Sequence, residues 1–153
     1  MLAVGSRAPE FALPNQDGTD VSLSSLLGQR MLVLYFYPAD FTPGCTREAC
    51  AIRDMNKELL EAGLAVAGVS PQGPERHRAF REKYALPFTL LSDSHKTVIK
   101  MYQVNGFLGI GVRRATFLID RGRTIRDAIL ADFQIAKHVE FIRNAVALGI
   151  GGR

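Results

Sequence analysis

A chain of 153 residues fits one domain with a substantial hydrophobic core, and its composition, without low-complexity segments or an excess of Pro or Gly, is that of a globular protein. The net charge of +4 comes without a recognised nucleic-acid-binding motif, so we expect a solvated basic face and no nucleic-acid partner. The apolar runs are too short to span a bilayer, and the first residues lack the pattern of a secretory signal. These properties predict a single domain over residues 1–153, located in the cytoplasm and without a membrane partner.

The first half of the chain alternates predicted strands and helices. Asp17-Gly18 lies between short apolar runs within Phe11 to Leu23, which predicts an N-terminal β-hairpin. Met31 to Tyr37 has no polar alternation, as expected of a strand that is buried on both faces of a helix-covered sheet. A helix is predicted from Pro43 to Glu61, and a second buried strand from Leu64 to Ser70. This order indicates an α/β core with a right-handed crossover between its first strands.

The second half is predicted to add antiparallel strands to this core. Arg121-Gly122-Arg123 forms a tight turn between two strand-like runs, which predicts a second hairpin. The predicted elements are a helix at Pro74–Tyr84, a strand at Phe88–Leu91, a helix at His95–Tyr102, a loop at Asn105–Gly111, strands at Ala115–Asp120 and Thr124–Ala131, a helix at Ile135–Leu148, and a fraying end at Gly149–Arg153. The expected fold class is α/β: a thioredoxin-like fold with a mixed central sheet flanked by helices, and an N-terminal β-hairpin extension.

Cys45 is the candidate nucleophile because it lies in the first turn of the helix that follows the first buried strand. Unpaired backbone N–H groups and the positive end of the helix dipole favour the thiolate there, which is the reactive form of cysteine. Pro38 and Pro43 are expected to stiffen the loop and shield the thiol, and Gly44 lets the backbone approach a substrate oxygen. The Thr42 hydroxyl is expected to hydrogen-bond a substrate oxygen and the Cys45 sulfur.

Cys50 lies five residues after Cys45 on the same predicted helix. Their Cα atoms would be roughly 8–9 Å apart on different faces of an intact helix, whereas a disulfide requires about 7 Å or less. The pair can therefore form a disulfide only if the helix unwinds, as in a redox switch. Two buried cysteines that serve only as small apolar side chains are an equally open interpretation of the spacing alone. A zinc site is weaker, because His77, His95 and His138 are scattered and each is expected to be a surface or capping side chain.

The motif Pro38-x-x-x-Thr42-x-x-Cys45 resembles the active-site signature of the peroxiredoxins. The longer pattern Tyr-Phe-Tyr-Pro…Thr-Pro-Gly-Cys-Thr-x-Glu-x-Cys is similar to the peroxiredoxin Q, or bacterioferritin comigratory protein, branch, whose second cysteine matches Cys50. In this family an arginine precedes a Thr-Phe-Leu-Ile-Asp strand, and here Arg114 occupies that position. Ala39 and Phe41 depart from the commonest residues of the branch, which bears only on substrate access.

The resemblance implies thiol peroxidation as the activity, with hydrogen peroxide and organic hydroperoxides as substrates and antioxidant defence as the role. Cys45 would attack the peroxide and become a sulfenic acid, with Thr42, Arg114 and backbone amides stabilising the departing oxygen. Cys50 would then condense with Cys45 into a disulfide, which a thioredoxin or glutaredoxin-like protein would reduce. No metal or cofactor is implied. A monomer is expected, with a weak homodimer as the alternative.

Two further residues, and the function itself, have more than one interpretation. Glu48 matches a glutamate of the family pattern and is either a pocket residue or a carboxylate on the helix surface. Tyr37 either lines the pocket or packs against the helix. The chain could instead be a non-catalytic thioredoxin-like module for redox sensing or binding. A thiol–disulfide oxidoreductase acting on proteins is less favoured, because it usually has Cys-x-x-Cys at the helix start, which this chain lacks.

Overall fold

The computed structural model describes residues 1–151. Its strands and helices follow one another along the chain almost as the sequence predicts. The strands are β1 (Ala12–Pro14), β2 (Asp20–Ser22), β3 (Met31–Phe36), β4 (Leu64–Ser70), β5 (Thr89–Ser92), β6 (Ala115–Ile119) and β7 (Ile125–Leu130). The helices are α1 (Leu23–Leu27), α2 (Pro43–Asp54), α3 (Asn56–Glu61), α4 (Pro74–Lys83), α5 (Thr97–Met101) and α6 (Ile135–Gly151), with one 3₁₀ turn at Phe107–Gly109.

The central sheet is mixed and has the strand order β5-β4-β3-β6-β7. Strands β3, β4 and β5 run parallel, whereas β6 pairs antiparallel with both β3 and β7. Strands β1 and β2 form a separate antiparallel pair. The predicted thioredoxin-like fold with an N-terminal hairpin is therefore confirmed. No helix within residues 1–151 is long and apolar enough to cross a membrane.

Strand β3 is the central strand of the sheet, and apolar side chains cover both of its faces. Successive residues of a strand point to opposite faces, and here Tyr35 and Phe36 belong to two different buried clusters. The cluster around Tyr35 also contains Cys45 and other residues of α2. A Cβ atom at Gly68 of β4 would lie 2.8 Å from Cζ of Tyr35, so a glycine is needed beside this ring. Helix α2 thus packs on one defined face of the sheet.

Three boundaries differ from the prediction by more than one residue. The predicted helix from Pro43 to Glu61 is divided at Met55, whose N–H donates to Ile52 in a tighter bond that ends α2. Helix α5 begins at Thr97 rather than at His95, because Lys96 has a left-handed backbone conformation with φ of 58°. Helix α6 continues through Gly149 to Gly151. Residues 152 and 153, where fraying is also predicted, lie outside the described residues.

Candidate active site

Cys45 lies at the carboxyl end of β3, in the first turn of α2. The helix begins at Pro43, a favourable first position because proline lacks the N–H that would remain unpaired there. Thr42 is the N-terminal capping residue, and its carbonyl accepts the first bond of the helix, from Thr46 N at 2.9 Å. Cys45 is thus the third residue of α2, where backbone N–H groups have no acceptor within the helix.

The hydroxyl of Thr42 does not cap the helix. It donates to the carbonyl of Ala39 at 2.8 Å, and α2 has no side-chain cap. The N–H groups of Gly44 and Cys45 are therefore left for another acceptor. Because the only proton of the Thr42 hydroxyl is used on Ala39, the expected bond from Thr42 to the sulfur is replaced by this one. Its oxygen keeps lone pairs that can accept a hydrogen bond from a substrate.

Arg114 supplies the cation that the local sequence around Cys45 lacks. Its Nη2 donates to the sulfur of Cys45 at 3.3 Å, although the two residues are 69 positions apart in the chain. The pairing of β3 with β6 explains this contact, because Phe36 lies opposite Ala115 and so places Arg114 beside the carboxyl end of β3. The sulfur is buried, with 1% of Cys45 exposed, so the arginine acts where water screens it little.

Asp132 accepts hydrogen bonds from both Arg114 and its neighbour Arg113, and so orients the two side chains. Its side chain accepts from Arg114 N at 3.1 Å, and its carbonyl accepts from Arg114 Nε at 3.2 Å. The same carboxylate accepts from Arg113 Nε at 2.8 Å. Arg114 is therefore directed inward, towards Cys45 and Glu48, and Arg113 outward. Asp132 lies just beyond β7, and no sequence pattern indicates that it contacts these arginines.

Glu48 lies behind the arginine and is not on the helix surface. Its Oε1 accepts from Arg114 Nη1 at 2.6 Å, and 1% of the residue is exposed. Burial raises the pKa of Glu48 to about 7, although the charge of Arg114 acts in the opposite direction. The signal for its inward position is the helical spacing of the buried residues of α2, which are Cys45, Glu48, Ala49 and Ile52.

Gly44 brings the start of α2 against the guanidinium group. A Cβ atom at this position would lie 3.2 Å from Arg114 Nη2 and 3.8 Å from Ile135 Cδ1. The first of these distances is tighter than ordinary van der Waals contact, so Arg114 Nη2 would have to shift by a few tenths of an ångström to make room for a side chain here. The helix start thus packs closely on Arg114 at Gly44.

An open cleft of about 520 Å³ leads to this group of residues. Thr42, Gly44 and Arg114 line it. Its other lining residues are Pro38, Arg47, Gly106, Phe107, Ile110, Gly111, Val112, Arg113, Asp132, Phe133 and Ile135. The outer part is apolar and exposed, with Phe107 85% and Phe133 94% accessible to solvent. The cleft thus combines a polar inner end at Thr42 and Arg114 with an apolar outer surface.

Three of the other predicted pocket residues, Pro43, Glu48 and Tyr37, do not line the cleft. Pro43 is exposed on the first turn of α2, and Glu48 is buried behind Arg114. Tyr37 is also buried, and its hydroxyl donates to Asp40 Oδ1 at 2.6 Å. Tyr37 therefore packs beneath the loop between β3 and α2. Pro38 does line the cleft.

A second buried polar group supports the loop between β3 and α2. His77 Nε2 donates to the carbonyl of Leu91 at 3.0 Å, and its Nδ1 lies 2.5 Å from Asp40 Oδ2. Both side chains are fully buried. This contact ties the loop to α4 and β5. The expectation of a surface role for His77 is wrong, and its position three residues before the buried Phe80 is the helical spacing that could have indicated an inward side chain.

His138 is likewise fully buried, contrary to the prediction, whereas His95 is exposed as predicted. It lies in α6 three residues before the buried Phe141, again on the inward face. Its ring lies 2.8 Å from the Thr116 hydroxyl and 2.8 Å from the Ala131 carbonyl. Its Nδ1 is also 3.8 Å from Oε2 of Glu48. His138 therefore lies directly behind the Glu48–Arg114 pair.

Cys50 lies off the buried face of α2 and is partly exposed. Both cysteines are free thiols on a continuous helix. Residues five positions apart on an ideal helix have Cα atoms roughly 8–9 Å apart, so the two thiols can form a disulfide only after the helix opens.

Comparison with known proteins gives consistent results. Residues 4–128 match the model of the AhpC/TSA family. The chain is 44% identical over 149 residues to peroxiredoxin Bcp of Escherichia coli, covering 94% of each protein. Its fold is similar to that of peroxidoxin BcpB from Mycobacterium tuberculosis, with a TM-score of 0.90, 37% identity, and coverage of 100% of this chain and 99% of the other. It is also similar to Xanthomonas campestris bacterioferritin comigratory protein, which was studied for alkyl peroxide reduction, with a TM-score of 0.82, 28% identity and 92% of each chain covered.

Proposed function

Because this chain belongs to the AhpC/TSA family and is a peroxiredoxin, we propose that it reduces hydrogen peroxide and organic hydroperoxides through Cys45 in antioxidant defence. The observation that carries the proposal is the contact of Arg114 Nη2 with the Cys45 sulfur at 3.3 Å, at an uncapped helix start. A cation and free N–H groups favour the thiolate and leave donors for the oxygens of a peroxide.

The first step is attack of the Cys45 thiolate on the terminal oxygen of the peroxide. A sulfur–oxygen bond forms and the oxygen–oxygen bond breaks, so cysteine is oxidised to a sulfenic acid and the peroxide is reduced to an alkoxide or hydroxide. The electron pair of the broken bond leaves with the second oxygen, which takes up a proton. Arg114 and the free N–H groups of α2 are the donors that stabilise this developing charge.

Thr42 has a different part in this step from the one that the sequence suggested. Its hydroxyl proton is held by Ala39, so its oxygen faces the substrate as an acceptor. It can accept the O–H of the hydroperoxide and so orient the terminal oxygen towards the sulfur. Donation to the departing oxygen is left to Arg114 and the backbone.

Cys50 is the proposed resolving residue. Its thiol would condense with the sulfenic acid of Cys45, releasing water and forming a disulfide. Because the Cα atoms are roughly 8–9 Å apart on an intact helix, the start of α2 must unwind. Peroxiredoxins act with thioredoxin-type reductants, and we expect a thioredoxin or glutaredoxin-like protein to reduce this disulfide by exchange.

The apolar outer part of the cleft supports organic hydroperoxides as substrates besides hydrogen peroxide. Phe107, Ile110 and Phe133 line the same cleft as Arg114 and are largely exposed. Apolar contact with the organic group would give an organic hydroperoxide a lower KM than hydrogen peroxide.

A coupled assay with thioredoxin and either hydrogen peroxide or an alkyl hydroperoxide tests the proposed activity. We expect turnover that Cys45→Ser abolishes while its circular dichroism stays that of the folded protein. Absence of turnover in the native protein with both thioredoxin and glutaredoxin would favour the non-catalytic redox-sensing module. Retained turnover in Cys45→Ser would exclude Cys45 as the nucleophile.

The role of Cys50 has a separate test. One equivalent of peroxide should convert the native protein to an intramolecular disulfide, with a loss of helical signal in the far-ultraviolet circular dichroism. Cys50→Ser should instead give one sulfenic acid per chain by mass spectrometry and keep its helical signal. Disulfide formation without any change in the helical signal would contradict the proposed unwinding.

The expected monomer, with a weak homodimer as the alternative, and the cytoplasmic location stay predictions from the sequence. Sedimentation velocity of the reduced and oxidised protein over a range of concentrations tests the oligomeric state. A single species of one-chain mass at all concentrations would support the monomer.

A further inference from the structure

One oxygen of the buried Glu48 carboxylate has no hydrogen-bond partner. Oε1 accepts from Arg114, but Oε2 is inaccessible to solvent and has no partner among the described residues. A buried carboxylate oxygen without a donor is unfavourable when the group is ionised, whereas a protonated carboxyl needs only an acceptor for its O–H. The position of this oxygen therefore suits the protonated form.

His138 places a suitable acceptor opposite this oxygen. A carbonyl can only accept, so the 2.8 Å contact of His138 with Ala131 requires a proton on Nε2. In the neutral ring Nδ1 is then an acceptor, and the Thr116 hydroxyl donates to it at 2.8 Å. Nδ1 lies 3.8 Å from Glu48 Oε2, close enough for a small side-chain shift to form a bond. A hydroxyl can donate or accept, so the Thr116 contact persists whichever of the two groups holds the proton.

The charges around Glu48 do not balance if both it and Cys45 are ionised. The groups that face Glu48 are Cys45 on its own helix, Tyr35 from β3, Arg114 just before β6, and His138 from α6. Arg114 is the one permanent cation in this group. Asp132, which also contacts Arg114, is partly exposed and pairs with Arg113. Two buried anions beside one buried cation leave an uncompensated charge, which is costly away from water.

We propose that Glu48, supported by His138, takes up the proton that the Cys45 thiol loses, so that Arg114 faces one full anion at a time. The proposal rests on the proposed function of Cys45 as nucleophile. It assigns a role in the reaction to His138, which contacts neither the sulfur nor the cleft.

The protons balance over the first half of the reaction. The thiol gives its proton to the Glu48–His138 pair and becomes the thiolate that Arg114 contacts. Attack on the peroxide then removes the negative charge from sulfur and places it on the departing alkoxide or hydroxide. That oxygen takes up one proton as the pair releases one, and Glu48 becomes a carboxylate bound to Arg114 again. The raised pKa of Glu48, about 7 because of burial, agrees with this exchange near neutral pH.

The alternative is that Glu48 only orients Arg114, and the two roles predict opposite effects of Glu48→Gln. Glutamine can still accept from Arg114 through its amide oxygen but carries no charge. If Glu48 competes with Cys45 for the arginine, the variant should ionise its thiol more readily, with the thiolate-to-thiol ratio at fixed pH rising about tenfold, as for removal of one nearby like charge. If Glu48 only orients the arginine, the ratio should fall or stay the same, and this outcome would overturn the proposal.

The ratio is best measured by the absorbance of the thiolate and by the rate of alkylation against pH, in the Cys50→Ser background so that one thiol is observed. Glu61→Gln, at an exposed carboxylate, is the matched control and should leave the titration unchanged. His138→Gln should lower the thiolate fraction at fixed pH in the presence of Glu48, and should have no such effect when combined with Glu48→Gln. An equal effect of His138→Gln in both backgrounds would show a merely structural role. His95→Gln is its exposed control.

Infrared difference spectroscopy tests directly whether the Glu48 carboxyl is protonated, in a protein that keeps Glu48 and His138. Addition of one equivalent of peroxide to the Cys50→Ser protein near neutral pH should remove a protonated-carboxyl band, and Glu48→Gln should abolish this change. Mass spectrometry of the same sample counts the sulfenic acid formed. A sulfenic acid without loss of the carboxyl band would refute the shared proton and leave the proposed function intact. Absence of the sulfenic acid would refute the proposed function itself.

Discussion

Arg114 and Cys45 are 69 positions apart in the chain, yet the guanidinium Nη2 lies 3.3 Å from the sulfur. The antiparallel pairing of β6 with β3 creates this contact, and the backbone and carboxylate of Asp132 hold the arginine in place. The same guanidinium group bonds Glu48 through its other terminal nitrogen. One planar side chain thus links the Cys45 thiol to a buried carboxylate.

We expect Arg114→Lys to slow the oxidation of Cys45 by about 10²–10³-fold, the usual cost of removing one well-placed donor to the transition state. Lysine keeps the charge but offers a single ammonium group, which cannot contact the sulfur and Glu48 in the fixed planar geometry of arginine. Stopped-flow measurement of the second-order rate constant with peroxide checks this. Arg113→Lys is the matched control, because Arg113 is directed outward to Asp132 and should affect the rate less than threefold. Equal losses in the two variants would contradict the assignment of Arg114.

Gly44→Ala is expected to slow the same reaction by about tenfold or more, because misplacing a catalytic group by less than 1 Å is costly. The added Cβ atom would lie 3.2 Å from Arg114 Nη2 and push the guanidinium away from the sulfur. Gly73→Ala provides a control at the start of α4, where a Cβ atom meets nothing within 4 Å. The rate constant for Cys45 oxidation should be unchanged in that variant. An unchanged rate constant in Gly44→Ala would show that the arginine can shift without slowing the reaction.

Ionisation of Glu48 should lower the free energy of unfolding of the reduced protein as the pH rises from 4.5 to 7. Its pKa is raised from 4.5 in the exposed group to about 7 in the folded protein, chiefly by burial. The folded state therefore binds more protons than the unfolded state in this window, and linkage lowers the free energy of unfolding by on the order of 3 kcal/mol across it.

Urea unfolding of the native protein and of Glu48→Gln at several pH values measures this effect. The stability of the native protein relative to the variant should decrease steadily through the window. A difference that does not change with pH would mean that Glu48 has the same pKa in both states. Glu61→Gln, at an exposed position, should show a constant difference.

Asp40→Ala is expected to destabilise the fold by about 1–3 kcal/mol for each buried polar group that it leaves without a partner. His77 would keep a buried ring nitrogen without its 2.5 Å contact, and Tyr37 would lose the acceptor of its hydroxyl. Denaturant unfolding of the reduced protein checks this value. Removing the exposed carboxylate of Asp54, which pairs with Arg53 at 3.0 Å, should cost less than about 1 kcal/mol. Similar values for the two variants would contradict a special role of the buried pair.

Much of the candidate site could be predicted because it is local. The proline and glycine residues before Cys45 end the strand and begin the helix, so the position of the thiol in the first turn follows from neighbouring residues. Arg114 could be identified only through the family resemblance, since its contact depends on strand pairing. Glu48 had two open interpretations because helical spacing shows which residues share a face but not what covers that face.

The sequence by itself determined the elements, their order, and the spacing of two cysteines that cannot form a disulfide on an intact helix, because backbone periodicity and turn chemistry act over a few residues. The tertiary structure alone decided which buried polar groups meet. His138 reaches Glu48 because α6 packs on the same face of the sheet as α2, and His77 reaches Asp40 because α4 packs beside the loop before Cys45. A buried polar side chain must find its partner among whichever elements cover it, and that choice is made by the packing of distant segments.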